Sequence, residues 1–166
     1  MATPAERLSG ADVIEDLYRR HAGALMAVAY RLLMSRADAE DVVHDLFVGL
    51  PEALRRYEER GSMEHWLRKI VVRLALSRLR ARRHVTLQES AEPVAVSPDP
   101  VARVTIQRAL AALSPSLRAV LVLKEIEGFS HAEIAAMLGI SVAASEVRLH
   151  RALRQLRALL SEDHRA

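Results

Sequence analysis

The sequence predicts an all-α protein of two small helical domains joined by a flexible linker, the C-terminal domain being a helix-turn-helix. Three observations support this prediction. Apolar residues recur at spacings of three and four along most of the chain, and no stretch keeps the period of two that is typical of a strand. Ser, Pro and Gly stand where helices would begin and end. A Pro-rich stretch interrupts the pattern near the middle, and 166 residues allow two small domains.

Three long helices are predicted before the Pro-rich stretch. The first runs for about 20 residues after Gly10. Ser35 can cap the second, whose first turn is acidic, as the helix dipole favours. Pro51 lacks a backbone donor, and we expect it to kink this helix or to start a new segment. Ser62 follows a polar turn and can cap the third helix, which places its arginines outside.

A change of composition marks a boundary in the middle of the chain. Pro93, Pro98 and Pro100 stand among Ser, Glu and Ala, and the helical period is lost there. Such a segment is typical of a linker between domains. We therefore expect an N-terminal tail at 1–11, a first domain at 12–85, a linker at 86–100 and a second domain at 101–162.

Four helices are predicted after the linker, each with its own start signal. Asp99-Pro100 and Ser114-Pro115 place a capping residue before a proline at the first helical position. Ser130 and Glu133 have the spacing of a capping box, which opens a short helix. Gly139 then makes a tight turn, and Ser141 caps a last helix to about residue 160.

The last two helices have the pattern of a helix-turn-helix, in which a short helix and a glycine turn precede a longer basic helix. The longer helix carries Arg148, Arg151, Arg154 and Arg157 at every third position. We expect its N-terminal end to enter a major groove while the arginines reach phosphates. A small helical bundle with a solvated arginine face is the structural alternative.

Charge is distributed unevenly along the chain, although its net value is only +3. Residues 67–84 hold seven Arg and Lys side chains and no acid, whereas acids outnumber bases between residues 38 and 59. This division indicates a polyanion at one surface and a different partner at another. The basic run could also be a solvated helix face, although intrahelical Glu–Arg pairs would then be expected within it.

Several classes of function have no support in the sequence. Cysteine is absent, the seven histidines show no i, i+4 metal pairing, and the glycines form no phosphate-binding cluster. No apolar run has the length of a membrane span, and Glu6 and Arg7 stand where a signal peptide would be apolar. We therefore expect a soluble cytoplasmic protein that is not an enzyme and holds neither a metal nor another cofactor.

Five stretches of the sequence, in this order and spacing, resemble the extracytoplasmic-function (ECF) sigma factors. These bacterial initiation factors consist of sigma regions 2 and 4 joined by a linker. The stretches are LYRRHAGALMAVAYRLL, RADAEDVVHDLFVGLPEALRRY, GSMEHWLRKIVVRLALSRLRARR, LSPSLRAVLVLKEIEGFSHAEIAAMLGIS and VRLHRALRQLRALL. The resemblance implies binding to core RNA polymerase, through its β′ clamp and β flap, and to promoter DNA. It also suggests an anti-sigma factor as a partner and a monomer as the free form.

The resemblance implies three sets of site residues. Docking on core polymerase is expected at Asp38, Glu40, Asp41, Asp45, Leu46 and Phe47. Binding of the melted strand and a flipped base of the −10 element is expected at Tyr57, Arg60, Ser62, Met63, Trp66, Arg68, Lys69, Arg73, Arg78 and Arg80. Reading of the −35 element is expected at Ala144, Glu146, Val147, Arg148, His150 and Arg151. Trp66 could instead be a core anchor of the first domain.

The sequence departs from the family pattern at positions that contact DNA. Glu146 stands where relatives usually have Lys or Arg; its carboxylate repels phosphate but could accept a hydrogen bond from a cytosine amino group. Arg73 and Ser77 replace residues that are usually Asn and Asp, so the relatives' promoter preference does not transfer. A sigma-like decoy or adaptor without promoter activity is the alternative function. A plain helix-turn-helix repressor would leave the acidic helix unexplained.

Overall fold

The computed structural model describes residues 10–58, 61–88 and 106–163, and the regular structure in these ranges is entirely helical. This confirms the all-α prediction. The chain divides into two compact units, of which the first ends at Arg78 and the second begins at Leu79. The division therefore falls inside a helix and before the expected boundary at residue 85, because that helix places its last residues of the first core at Ala75 and Leu76.

The first unit begins with two helices that pack against each other, α1 (Gly10–Leu33) and α2 (Arg36–Arg55). Met34 makes the tight turn between them with a φ of 50°. Ser35 caps α2 as predicted, because its hydroxyl accepts a hydrogen bond of 3.3 Å from the Asp38 backbone N–H. Pro51 starts no new segment: α2 continues through it for one more turn, with Leu50 fully buried beside it.

The third helix, α3, runs from Met63 to Gln88 and carries the basic residues. The Ser62 hydroxyl accepts from the His65 backbone N–H over 3.2 Å, which confirms the predicted cap. Leu67, Val71 and Val72 are fully buried and complete the core of the first unit. Residues 86–88 are helical although they were expected in the linker. The rest of the predicted linker, and the helix start predicted at 99–100, lie outside the described residues.

After the end of α3, the described part of the second unit continues with α4 (Ile106–Ala112) and α5 (Pro115–Leu121). Helix α5 then runs into a π-helical turn at Val122–Ile126. Pro115 occupies the start of α5 as predicted. Ser114 does not cap this helix, because its hydroxyl lies 3.4 Å from the Ser116 hydroxyl and makes no bond to a backbone N–H.

A buried arginine closes the end of α4. Arg118 is 5% exposed, and its Nη1 donates to the Leu113 carbonyl over 3.2 Å and to the Leu110 carbonyl over 3.4 Å. These carbonyls stand at the C-terminal end of α4, where a helix runs short of intrahelical donors; the Leu110 carbonyl also accepts from the Leu113 backbone N–H over 3.2 Å. Burial lowers the pKa of Arg118. The sequence analysis did not identify this residue, because its partners are set by the packing of α5 on α4.

The helix-turn-helix is present as predicted, with α6 (His131–Leu138) and α7 (Val142–Asp163) separated by a tight turn. Ser130 and Glu133 form the complete capping box of α6. Gly139 ends α6 with a φ of 65°, in the left-handed region that favours glycine. Ser141 caps α7 by accepting from the Ala144 backbone N–H over 3.0 Å. No described helix combines the length and apolarity that crossing a membrane requires.

Candidate nucleic-acid interface

One face of α7 is exposed and polar, whereas the opposite face is packed. Ser145 and Ala152 are fully buried on the packed face, with Leu149 and Leu156 half-buried at the same helical spacing. The exposed face forms a shallow, open concavity lined by Glu146, Val147, His150, Arg151 and Arg154. Four of the six residues predicted to read the −35 element therefore lie side by side on one surface.

The other two residues of that predicted set lie at the margin of this surface. Ala144 and Arg148 are half-buried, and the Ala144 backbone N–H is bonded to the cap of α7. Among the described residues, neither Glu146 nor Arg148 has an ion-pair or hydrogen-bond partner for its side chain. The exposed face thus presents one unpaired carboxylate among cationic and apolar side chains.

A buried hydrogen bond fixes α7 against α6. The Ser145 hydroxyl is fully buried and lies 2.9 Å from Nδ1 of His131, the first residue of α6. Either atom can donate, depending on the histidine tautomer. The bond to His131 explains how a hydroxyl is tolerated in this core. Neither residue was in the predicted site.

The loop before α3 is organised by two aromatic rings. Tyr57 and Trp66 have ring centroids 4.8 Å apart and an interplanar angle of 55°. The Tyr57 hydroxyl donates to the Gly61 carbonyl over 3.3 Å, which closes the loop. Both rings are half-buried, and so is Met63. Trp66 therefore contributes to packing as well as to the surface predicted to bind the −10 strand. Arg60, predicted to lie in this loop, is outside the described residues.

The basic residues of α3 fall into two groups. Arg73 and Arg80 are exposed, and neither has a side-chain partner among the described residues. Arg68 donates to Glu64 over 2.7 Å, and Arg78 is bonded to acids of α2. Lys69 is half-buried. The basic run itself holds no acid, as the sequence shows, but two of its members are paired with acids that stand before the run or on another helix.

Arg78 contacts two carboxylates of the acidic helix. Its Nε and Nη2 donate to Asp38 Oδ1 over 3.2 and 3.1 Å, and Nη2 also donates to Asp41 Oδ2 over 2.9 Å. The Asp38 side chain is only 14% exposed. Asp38 was predicted to dock on polymerase, but it faces the interior of the first unit.

The structure also corrects the prediction for Leu46. This residue is 3% exposed and belongs to the core, because it lies on the same side of α2 as the buried Val42, Val43 and Leu50. Phe47 is half-buried, and its ring meets that of Tyr18 edge-on at a centroid distance of 5.0 Å. Of the acids predicted to dock on polymerase, Glu40, Asp41 and Asp45 remain exposed on α2.

The surface near this acidic face contains residues that the sequence analysis did not select. Tyr18 is 54% exposed and Val48 66% exposed, so an apolar area flanks Phe47. Arg36 donates to Glu40 over 2.9 Å, and this bond raises the pKa of Arg36. Within the described residues, no cluster of His, Asp and Glu side chains has an arrangement that could hold a metal ion.

Comparison with known proteins identifies both halves of the chain. The family model for sigma-70 region 2 matches residues 17–85, and the model for sigma-70, region 4 matches residues 103–156. The chain is 35% identical to the RNA polymerase sigma factor CarQ of Myxococcus xanthus over 158 residues, which cover 91% of each protein. It is 32% identical to the ECF RNA polymerase sigma factor SigE of Mycolicibacterium smegmatis, and this match covers 89% of the chain and 62% of SigE.

Two solved structures are similar along most of the chain. The sigma factor RpoE of Bartonella quintana, in complex with the anti-sigma factor NepR, matches with a TM-score of 0.66 and 25% identity over 89% of this chain and 96% of RpoE. CnrH in complex with the cytosolic domain of CnrY matches with a TM-score of 0.58 and 32% identity, over 90% and 88% of the two chains. Regions 2 and 4 thus occur here in order, in one all-α chain with a helix-turn-helix, and the chain belongs to the ECF family of RNA polymerase sigma factors, which bind core polymerase and promoter DNA.

Proposed function

We propose that this protein is an alternative sigma factor that binds core RNA polymerase, recognises −35 and −10 promoter elements and assists promoter melting. The observation that carries the proposal is the exposed face of α7, which is polar, cationic at its C-terminal side and free of packing contacts. A recognition helix needs such a face, since base edges are read from side chains that project into the major groove.

The −35 element is read by the N-terminal half of the exposed α7 face. Glu146, Val147, His150 and Arg151 project from consecutive turns, so they span neighbouring base pairs. Arg148 lies at the margin, where it can reach a phosphate. Arg154 extends the cationic surface along the DNA backbone.

The −10 element is held as a single strand by α3 and the loop before it. Arg73 and Arg80 are exposed and form no bonds within the described chain, so they are available to neutralise phosphates of the melted strand. The Tyr57–Trp66 pair supports the loop between α2 and α3, and a flipped base would stack there. Ser62 acts by capping α3, and Met63 lines the loop.

Core polymerase docks on the outward side of α2. Glu40, Asp41 and Asp45 supply negative charge there, and Phe47 with Tyr18 supplies apolar area. This combination suits a partner surface with a basic rim and an apolar centre. The partner on polymerase is the β′ clamp, and the second unit meets the β flap.

An anti-sigma factor is the proposed regulator. The similar RpoE and CnrH structures are complexes with NepR and with the cytosolic domain of CnrY. We extend a partner of this kind to the present chain, which would act in the cytoplasm beside polymerase and DNA. The protein is a transcription regulator and catalyses no reaction of its own.

In vitro transcription on fragmented genomic DNA, with the full chain and purified core polymerase, tests the proposal. Mapped 5′ ends should cluster behind one shared pair of −35 and −10 sequences. Core polymerase alone is the control. Binding to core polymerase without any specific start would instead support a sigma-like decoy, the second candidate, which the unpaired carboxylate of Glu146 on the DNA-facing surface favours.

A further inference from the structure

Arg78 joins the two functional helices of the first unit. It lies on α3 within the basic run, but its guanidinium contacts Asp38 and Asp41 of α2, which are 40 and 37 residues away in the sequence. We call these three side chains the α2–α3 cluster. The cluster connects the helix proposed to dock on polymerase with the helix proposed to hold the melted strand.

Geometry and burial distinguish this cluster from three exposed ion pairs on α1 and α2. The pairs Arg19–Glu15, Arg20–Asp16 and Arg36–Glu40 are exposed contacts between neighbouring turns of one helix, and such pairs contribute little. In the α2–α3 cluster, by contrast, the Asp38 carboxylate is 14% exposed and accepts from both Nε and Nη2. Reduced solvent exposure weakens the screening of this contact, and the planar guanidinium allows one side chain to serve two carboxylates.

The neighbouring Arg80 provides a direct contrast. It lies on the same helix, two residues further on, and it is exposed with no side-chain partner among the described residues. Arg80 is available to a phosphate, whereas Arg78 already donates three hydrogen bonds within its own unit. The two arginines therefore have different tasks, although the sequence presents them as equivalent.

We propose that Arg78 is a positioning residue that holds α2 in a fixed place relative to α3. Polymerase bound on α2 and a melted strand bound on α3 are then held in one fixed relative position, which promoter opening requires. This inference rests on the proposed function, because it assumes that both surfaces are used. It removes Arg78 from the contacts with DNA and Asp38 from the contacts with polymerase.

Salt dependence separates a phosphate contact from a positioning role. The affinity of the full chain for a labelled single-stranded oligothymidylate is measured between about 50 and 200 mM salt. Arg80→Ala should lower the slope of log affinity against log salt by about 0.7, the value expected for one phosphate contact on a single strand. Arg78→Ala should leave the slope of the wild type unchanged.

Promoter opening measures the positioning role itself. With saturating core polymerase and a promoter found by transcription mapping, Arg78→Ala should reduce the opening rate about five- to tenfold, while polymerase affinity stays within about threefold. Arg78→Lys should restore part of the rate, because an ammonium can reach one carboxylate but not both. The assay is run well below the unfolding temperature of each variant, so that a loss of folded protein does not contribute.

A thermal double-mutant cycle on the full chain tests the cluster without DNA or polymerase. Arg78→Ala and Asp38→Asn should each lower the Tm by several degrees, and the double variant by no more than the larger single effect. Additive Tm shifts would overturn the inference, and so would a reduced salt slope for Arg78→Ala or a normal opening rate. If Arg80→Ala left the salt slope unchanged, the proposed single-strand surface of α3 would be contradicted instead. The thermal double-mutant cycle would still decide the role of Arg78.

Discussion

Glu146 shows how much one side chain decides at the DNA-facing surface. Its carboxylate is exposed on α7 beside Val147, His150 and Arg151, and no cation of the described chain neutralises it. A carboxylate here repels phosphate, and it offers an acceptor that matches the amino group of cytosine. Substituting Glu146 therefore tests two effects of its negative charge: a lower affinity for DNA, and discrimination in favour of cytosine.

We predict that Glu146→Lys raises the affinity of the free chain for a duplex of random sequence by about three- to tenfold at low salt, because repulsion is removed and a phosphate contact is added. Fluorescence anisotropy measures the affinity, and Glu146→Gln separates the loss of charge from the gain of a cation. On the mapped promoter, a fall in affinity together with lost discrimination at one base pair would identify Glu146 as a cytosine reader.

Arg118 is a buried charged residue whose hydrogen bonds contribute to the stability of the second unit. We predict that Arg118→Met lowers the free energy of unfolding by about 2 kcal/mol, because the volume is retained while the Leu113 carbonyl loses the Arg118 donor and the Leu110 carbonyl keeps only the Leu113 N–H. Chemical denaturation followed by circular dichroism provides the measurement. The matched control is Arg151→Met on the exposed face, which should change stability by less than about 0.5 kcal/mol. Equal effects of the two substitutions would contradict the capping role.

At the scale of elements, the turn between α6 and α7 depends on backbone conformation alone. Gly139 has a φ of 65°, and a Cβ added there would meet no atom within 4 Å. We predict that Gly139→Ala destabilises the chain by about 1 kcal/mol and Gly139→Asn by less, since Asn tolerates the left-handed region. Gly23→Ala, in the middle of α1 and equally unobstructed, should stabilise by about 0.5–1 kcal/mol. Thermal denaturation measures both changes. If Gly139→Ala and Gly23→Ala changed the stability in the same direction, this account would be contradicted.

The acidic helix is the element on which polymerase binding is predicted to depend. Asp45 is exposed on α2 and, unlike Asp41, has no arginine partner among the described residues; its Oδ1 lies 4.0 Å from Nδ1 of His44. We predict that Asp45→Arg weakens binding to core polymerase roughly tenfold, since a like charge would face the basic partner surface. Affinity is measured by pull-down or fluorescence with purified core enzyme. Glu15→Arg on α1 is the control and should bind as the wild type does.

At the scale of the whole molecule, the acidic surface proposed to dock on polymerase and the helix proposed to read the −35 duplex belong to different units. Asp45 lies in the first unit and Arg148 in the second, and in the part of the chain that the structure describes they share no side-chain partner. Substitutions at such sites usually act independently. The protein can therefore be altered in one activity at a time.

We predict that Arg148→Ala lowers duplex affinity and reduces the salt slope by about one, while core polymerase binding stays as in the wild type. Asp45→Arg should instead weaken polymerase binding and leave the duplex affinity of the free chain unchanged. The double variant should combine both losses without an additional effect. A loss of polymerase binding in Arg148→Ala would show that the two surfaces are not separable.

Much of the fold could be predicted because its signals are local. The caps at Ser35, Ser62 and Ser141 and the left-handed Gly139 each depend on atoms within four residues. Local signals were less decisive where packing opposed them. Pro51 was expected to kink α2 or start a new segment, and of these two outcomes the new segment does not occur, because Leu50 and its neighbours hold that turn in the core.

The sequence by itself determined the helical class, the helix-turn-helix, the family resemblance and the separation of acidic from basic segments, since periodicity, capping and charge order are properties of neighbouring residues. Only the tertiary structure decided which charged side chains are available. Arg78 turns to Asp38 and Asp41, Leu46 enters the core, and Ser145 bonds to His131. These outcomes depend on contacts between helices, and such contacts form only when the packed core brings distant segments together.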